Sequence, residues 1–195
     1  MKEDYELKKF ATQRSFEQWL AKNHAKAPGI RIHIAKKGSG IRSINYAEAL
    51  EVALCYGWID GQSKSIDEEW YWQRFTPRRA RSVWSKRNRE IVARLIEEGR
   101  MQAAGHAEID RAKADGRWDA AYDSPANAKI PSDLEAALRQ LPGAKEFFES
   151  LDSRNRYAIL HRLMTAKKPE TRAKRLATFV EMLKGRRTIY PLQRK

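Results

Sequence analysis

The sequence predicts an α+β fold: a small antiparallel β-sheet with packed helices, followed by a mostly helical C-terminal part. Strand-like segments are confined to the first 80 residues, whereas apolar residues after position 90 recur at helical spacing. The 195 residues suffice for one ordinary domain or two small ones. We expect an α+β domain over 1–120 and a basic helical region over 131–195; the alternative is that both pack as one domain.

The first two elements follow from apolar periodicity. Phe16, Trp19 and Leu20 share one side of a short helix over 15–23. Three isoleucines then alternate with other residues over 30–35, which is typical of a half-buried strand.

A capped helix and two strands come next. Asn45 and Glu48 have the spacing of a capping box, and the helix that they begin runs to about Tyr56. The segments 58–66 and 70–76 are rich in strand-forming residues and flank an acidic turn. Together with the isoleucine strand they predict the antiparallel sheet.

The remaining elements are helical. Ser132 and Glu135 predict a capping box, and Pro169 suits the first turn of the last helix. The C-terminal region is therefore expected to hold three helices. The helical patterns occupy residues 91–99, 104–115, a segment from 132, 153–166 and 169–185, and 117–131 is expected to be a loop or linker.

Composition excludes several classes of protein. A single cysteine excludes an intramolecular disulfide and a cysteine-rich zinc site, and the four histidines lack metal-binding spacing. No apolar run reaches the ~18 residues of a membrane span, and the N-terminal residues do not resemble a signal peptide. We expect a cytoplasmic protein without a metal or another cofactor; the sequence does not indicate its oligomeric state.

Positive charge is concentrated in two stretches. The net charge is +14; residues 74–94 hold eight basic residues and one acid, and residues 151–195 hold thirteen basic residues and three acids. Such local charge attracts anions. The expected partner is therefore an anionic ligand: a phosphorylated metabolite, a lipid head group or a nucleic acid.

The first charged stretch overlaps a segment rich in tryptophan. An extended strand would place on one face Trp70, Trp72, Arg74 and Thr76. Arginine and aromatic rings together on such a face can bind a planar or anionic ligand. The alternative is a core of aromatic residues covered by arginine stems. The candidate ligand-binding residues are Asp60, Gln62, Trp70, Trp72, Arg74, Thr76, Arg78, Arg79, Trp84, Lys86 and Asn88.

Two further hypotheses compete with anion binding by this segment. Asp60 could act as the acid or base of an enzyme on a small metabolite, or pair with an arginine such as Arg74 as a structural carboxylate. The basic C-terminal helices could instead grip a phosphate backbone, and their alternative role is a solvated outer face. Their candidate residues are Lys167, Lys168, Arg172, Lys174 and Arg175.

Several motifs along nearly the whole chain resemble one family. The matching segments are Trp19-Leu20 with His24, residues 35–40, 46–50, 57–62 and 74–79, Trp84-Ser85-Lys86 with Asn88, and residues 115–118, 152–157 and 166–172. On these motifs the chain resembles the YdeI/OmpD-associated, or bacteriocin-protection, family. The resemblance implies a role in resistance to bacteriocins or antimicrobial peptides and an association with an outer-membrane porin; by the label alone the location would be periplasmic. It implies no reaction, cofactor or catalytic residue.

The hypothesis that best combines these observations is a non-enzymatic binding protein with a role in stress or bacteriocin protection. Its anionic ligand would lie against the tryptophan- and arginine-rich segment, with Asp60 and Gln62 shaping the pocket. No catalytic residue is assigned.

Overall fold

The computed structural model describes residues 5–192, which form two compact units. The first unit comprises the described residues up to Trp84 together with Asn88–Ala120. The second comprises Ser85–Arg87 and the described residues from Ala121 onward. The sheet belongs to the first unit, and the second unit is built from helices.

The sheet has four strands in the order β1-β2-β4-β3. The strands are β1 Leu7–Lys9, β2 Ile30–Ala35, β3 Trp58–Ser65 and β4 Trp70–Pro77. β2, β4 and β3 are antiparallel neighbours, as predicted, but β1 pairs with β2 in parallel, so the sheet is mixed. β1 was missed because three residues, of which Leu7 is exposed, are too few to show a strand period.

Residues 5–192 contain eight helices, which agree with most of the predicted ones. They are α1 Gln13–Asn23, α2 Tyr46–Cys55, α3 Lys86–Glu97, α4 Ala103–Ala114, α5 Ser132–Arg139, α6 Pro142–Ser150, α7 Ser153–Met164 and α8 Pro169–Lys184. The capping box of α2 is confirmed: the Glu48 backbone N–H donates to Asn45 Oδ1 at 3.0 Å, and the Asn45 N–H donates to Glu48 Oε2 at 2.9 Å. After α2 the chain reverses at Gly57, whose φ of 73° lies in the left-handed region that favours glycine.

One face of the sheet packs against helices. The three isoleucines of β2 are buried, as their alternation predicted, and Phe75 of β4 lies on the same face. The ring of Phe16 on α1 lies 5.8 Å from that of Phe75. Burying each of these side chains stabilises the fold by about 1.5–3 kcal/mol, which makes this the core of the first unit.

The second unit has its own apolar core, and two details of its prediction were wrong. Leu134, Phe148 and Leu163 are among its fully buried residues. Ser132 does not cap α5: it is the first helical residue after Pro131, and no side chain caps this helix. The unit holds four helices rather than three, because Pro142, at the first helical position, begins α6.

Candidate functional site

The face of the sheet opposite the core carries cations and aromatic rings. β2 alternates buried isoleucines with half-buried residues, and its outward residues pair directly with outward residues of β4. Arg31 lies opposite Arg74, and His33 lies opposite Trp72. Side chains of directly opposed residues lie on the same side of a sheet. We call this surface the outer sheet face, formed by Lys9, Arg31, His33, Lys64, Trp70, Trp72 and Arg74.

Cations sit against both tryptophan rings of the outer sheet face. The Lys9 Nζ atom lies 4.6 Å from the centroid of the Trp70 ring. The Arg31 guanidinium lies 5.6 Å from that of Trp72, while its Nε and Nη2 atoms donate to the Tyr5 carbonyl at 3.0 and 2.7 Å. These contacts hold positive charge beside aromatic surface, an arrangement suited to stacking and charge-assisted hydrogen bonding.

Arg74 lies beside an irregular part of the neighbouring strand β3. The pairing of β3 with β4 shifts between Asp60 and Ser63, and the Arg74 guanidinium passes so close to Gly61 that a Cβ atom there would lie 2.8 Å from its Nε. The guanidinium lies 5.6 Å from the Tyr5 ring centroid. Because glycine has no Cβ atom, the arginine can approach the strand this closely at position 61.

The side chain of Gln73 supports the same irregularity from the core side. It is buried, and its Nε2 donates to the Gly61 carbonyl at 2.9 Å and to the Arg74 carbonyl at 3.2 Å. The Gln73 amide thus gives hydrogen bonds to two backbone carbonyls at the shift in pairing between Asp60 and Ser63, which we call the bulge.

His33 lies in the middle of the outer sheet face. Its ring centroid is 5.8 Å from that of Trp70, and both ring nitrogens are buried without a hydrogen-bond partner among the described residues. Burial, followed by the Lys9 ammonium, lowers the pKa of His33, which favours the neutral imidazole. Native proteins leave few buried polar atoms unpaired, so this point on the face is unusual.

The predicted residues Asp60 and Gln62 on β3, and Thr76 on β4, differ in their exposure to solvent. Asp60 is half-buried and accepts a hydrogen bond from the Tyr46 hydroxyl at 3.0 Å; among the described residues its partner is thus a tyrosine rather than Arg74. Gln62 is exposed in the bulge, and its carbonyl lies 3.4 Å from Gln73 Nε2. Thr76 is half-buried, opposite Ile59.

The predicted residues after β4 leave the sheet. Arg78 is buried, with its guanidinium 3.5 Å from the ring centroid of the buried Trp84, and its Nη1 donates to the Val83 carbonyl at 3.2 Å. Asn88 is also buried, whereas Arg79 is exposed. The Arg78–Trp84 stack contributes to the packing of the first unit.

Lys86 belongs to the second unit. Its Nζ pairs with Asp123 at 2.8 Å. The structure thus gathers Trp70, Trp72 and Arg74 on one surface and places Arg78, Trp84 and Lys86 elsewhere.

Two basic residues proposed for nucleic-acid binding by the C-terminal helices have internal roles. Arg172 pairs with Asp133 through two bonds of 2.7 and 2.9 Å and also donates to the Leu163 carbonyl. Arg175 donates to the carbonyl of Arg162. Lys167, Lys168 and Lys174 are exposed.

Sequence reasoning missed four members of the outer sheet face. Lys9 lies in the unpredicted strand β1, so nothing placed it beside Trp70. Arg31 and His33 were visible as the polar residues of an alternating strand, but their pairing with β4 depends on strand order. Lys64 was likewise not singled out, although it lies opposite Trp72.

Comparison with known families gives two matches. A family model described as a domain of unknown function, DUF8412, matches residues 8–108, more than half of the chain. The chain belongs to the DUF8412 family.

A second model, described as bacteriocin-protection, YdeI or OmpD-associated, matches residues 127–185. The resemblance drawn from the motifs is thus confirmed for the C-terminal part of the chain, and the motif segments between residues 19 and 118 lie outside this match. No curated protein and no solved structure shows significant similarity to the chain.

The DUF8412 match contains every residue of the outer sheet face. The exposed lysines of α8 and the preceding turn lie in the YdeI/OmpD-associated match. Within residues 5–192, no three His, Cys, Asp or Glu side chains are grouped to hold a metal ion. No helix in the same range has the length and hydropathy needed to cross a bilayer.

Proposed function

We propose that the protein is a non-enzymatic binding protein whose outer sheet face takes an anionic ligand, and that it acts in bacteriocin or stress protection. The observation that carries the binding proposal is the pairing of cations with tryptophan rings on one exposed face, above all Lys9 on Trp70 and Arg31 on Trp72. The role in protection rests on the description of the family model that matches residues 127–185.

Single-stranded nucleic acid is the anion that this face fits best. Proteins bind it by stacking successive bases on aromatic side chains while cations track the phosphates. Trp70 and Trp72 are two residues apart on β4, so about 7 Å separates their positions along the strand. Lys9, Arg31, Lys64 and Arg74 surround the two rings. A sheet face also offers a surface for a polymer rather than an enclosing pocket for a metabolite.

The test uses the full chain and follows its tryptophan fluorescence. A fifteen-residue oligothymidylate, phosphatidylglycerol vesicles and ATP represent the three anion classes. We expect the oligonucleotide to bind most tightly. If all four cations contact phosphates, a plot of the logarithm of the binding constant against the logarithm of the salt concentration should have a slope of roughly −3.

Variants locate the binding. Removing two phosphate contacts with Lys9→Ala plus Arg74→Ala should reduce the magnitude of the salt slope by about 1.4. Trp72→Ala should weaken binding by about 1–3 kcal/mol, the usual loss of one stacked base. The matched control is Lys22→Ala plus Lys26→Ala, which removes the same charge from exposed positions on and after α1.

Two outcomes would reject the proposal. One is the absence of saturable binding to all three probes. The other is an unchanged salt slope in the Lys9→Ala plus Arg74→Ala variant. Binding to vesicles but not to the oligonucleotide would assign the face to lipid head groups and overturn the nucleic-acid assignment. The predicted cytoplasmic location is a separate proposal, which cell fractionation tests.

A further inference from the structure

The second unit contains a groove that the proposed function does not use. Its volume is about 760 Å³, within the range of small-molecule sites. α7 forms its floor, and the loop before α5 and the segment after α8 form its sides. The side chains that matter for its chemistry are Tyr122, Arg154, Tyr157, His161, Arg162 and Tyr190.

One side of the groove is held in place by a buried amide. Asn155 is fully buried on α7, and its Oδ1 accepts hydrogen bonds from the backbone N–H groups of Ile189 and Tyr190 at 3.1 and 2.9 Å. Its Nδ2 donates to the Tyr190 carbonyl at 3.2 Å and to Asp152 Oδ1 at 3.0 Å. The segment that carries Tyr190 is therefore fixed beside the first turn of α7.

The opposite side is fixed by a tyrosine of α7. The Tyr157 hydroxyl donates to the Asp123 carbonyl at 2.9 Å, and residue 122 is bridged to Ser85 of the same unit. Burial raises the pKa of Tyr157 to about 12, so its hydroxyl remains a donor over the physiological range. Hydrogen bonds thus set both sides of the groove.

An aromatic wall runs along this second side. The rings of Tyr122 and His161 meet edge to face with centroids 4.5 Å apart, and the Tyr157 ring lies 5.6 Å from His161. Burial, followed by the charges of Arg162 and Arg175, lowers the pKa of His161 and favours its neutral form. Neutral aromatic rings of this kind stack against planar ligands.

Two arginines of α7 converge on the other side. The Arg154 guanidinium lies 4.2 Å and the Arg162 guanidinium 5.9 Å from the Tyr190 ring centroid, although the two residues are about two helical turns apart. Across residues 5–192, neither guanidinium forms a salt bridge. Asp152, the N-cap of α7, also lines the groove, and its Oδ1 accepts from Asn155.

We propose that this groove binds a small ligand that combines a planar ring with a phosphate monoester, such as a nucleoside monophosphate. The two guanidinium groups carry two positive charges, which match the charge of about −1.5 to −2 on a phosphate monoester. The planar ring lies against the wall formed by Tyr122, Tyr157 and His161. This site shares no residue with the outer sheet face, and the inference does not depend on the function proposed for that face.

The test is calorimetric titration of the full chain with adenosine 5′-monophosphate, adenosine and inorganic phosphate. We expect the monophosphate to bind at least about tenfold more tightly than either part, because each part makes only one half of the contacts. Arg154→Ala plus Arg162→Ala should weaken monophosphate binding by at least about tenfold. The control with the same charge change is Arg139→Ala plus Lys184→Ala, at exposed positions on α5 and α8, which should bind as the native chain does.

A third variant separates this site from the sheet. The Lys9→Ala plus Arg74→Ala protein should bind the monophosphate with unchanged affinity. If that variant loses binding while the Arg154→Ala plus Arg162→Ala protein keeps it, the ligand lies on the outer sheet face and the inference is overturned. The inference is also overturned if the native chain shows no binding at millimolar monophosphate, or if adenosine alone binds equally well.

Discussion

Replacing Asn155 with alanine should destabilise the second unit and release the segment that carries Tyr190. The substitution removes four side-chain hydrogen bonds, to Ile189 N–H, Tyr190 N–H, the Tyr190 carbonyl and Asp152. Each such bond contributes about 0.5–1.5 kcal/mol net, and a buried backbone group left unpaired costs more. Because the site is fully buried, we expect the free energy of unfolding to fall by about 3 kcal/mol.

Urea denaturation followed by circular dichroism measures this loss, and native-state hydrogen exchange locates it. In the variant the amide protons of Ile189 and Tyr190 should exchange faster relative to those in the middle of α7, because their acceptor is gone. Asn127→Ala is the matched control, since Asn127 is exposed in the same unit; its effect should stay within about 0.5 kcal/mol.

The reasoning is refuted if Asn155→Ala unfolds at the same urea concentration as the native chain and both amides keep their protection. That result would mean that the segment is held by its other contacts, and that the groove does not depend on the buried amide.

Two further predictions concern titratable groups. Burial raises the pKa of Cys55 to about 11, so the native thiol should not react with iodoacetamide at pH 8, and reaction should begin only with unfolding. The Arg172 guanidinium lowers the pKa of Asp133 from its ordinary value of 3.8; the pair therefore stabilises the second unit above that pH, and the stabilisation is lost as the pH falls through the lower folded-state value. Asp133→Asn should flatten the acid limb of a stability–pH curve.

The Cys55 labelling experiment and the Asp133 stability experiment each have a control. Rapid labelling of the native thiol at pH 8 would contradict the burial argument, and labelling in urea shows that the reagent is active. For the ion pair, Glu135→Gln on the same helix removes a carboxylate whose side chain is 59 % exposed, and it should leave the acid limb unchanged. An acid limb as steep in Asp133→Asn as in the native chain would show that other carboxylates control acid unfolding.

Local sequence signals were sufficient wherever one element determines its own structure. Asn45 and Glu48 predicted the start of α2 because a capping box involves only four consecutive residues. The isoleucines of β2 identified its buried face because side chains alternate along any strand. The same reasoning erred at Ser132, where the capping pattern was present but the preceding proline supplies the turn into the helix.

The candidate site depended on tertiary structure to a greater degree. Sequence placed Trp70, Trp72 and Arg74 on one strand face, but it grouped Arg78 and Trp84 with them, whereas these two form a buried stack. The path of the chain after Pro77 carries Arg78 and Trp84 away from the outer sheet face. No local periodicity in the sequence indicates that path.

The sequence by itself therefore determined the fold class, most of the elements and the excess of positive charge. Only the tertiary structure decided which cations meet which rings. Strand order brings β1 and β2 beside β4, and so sets Lys9 on Trp70 and Arg31 on Trp72. Likewise, one buried amide joins residues 155 and 190 to build the groove. Contacts between residues so far apart in the chain depend on how elements pack, and a local pattern records only the element to which each residue belongs.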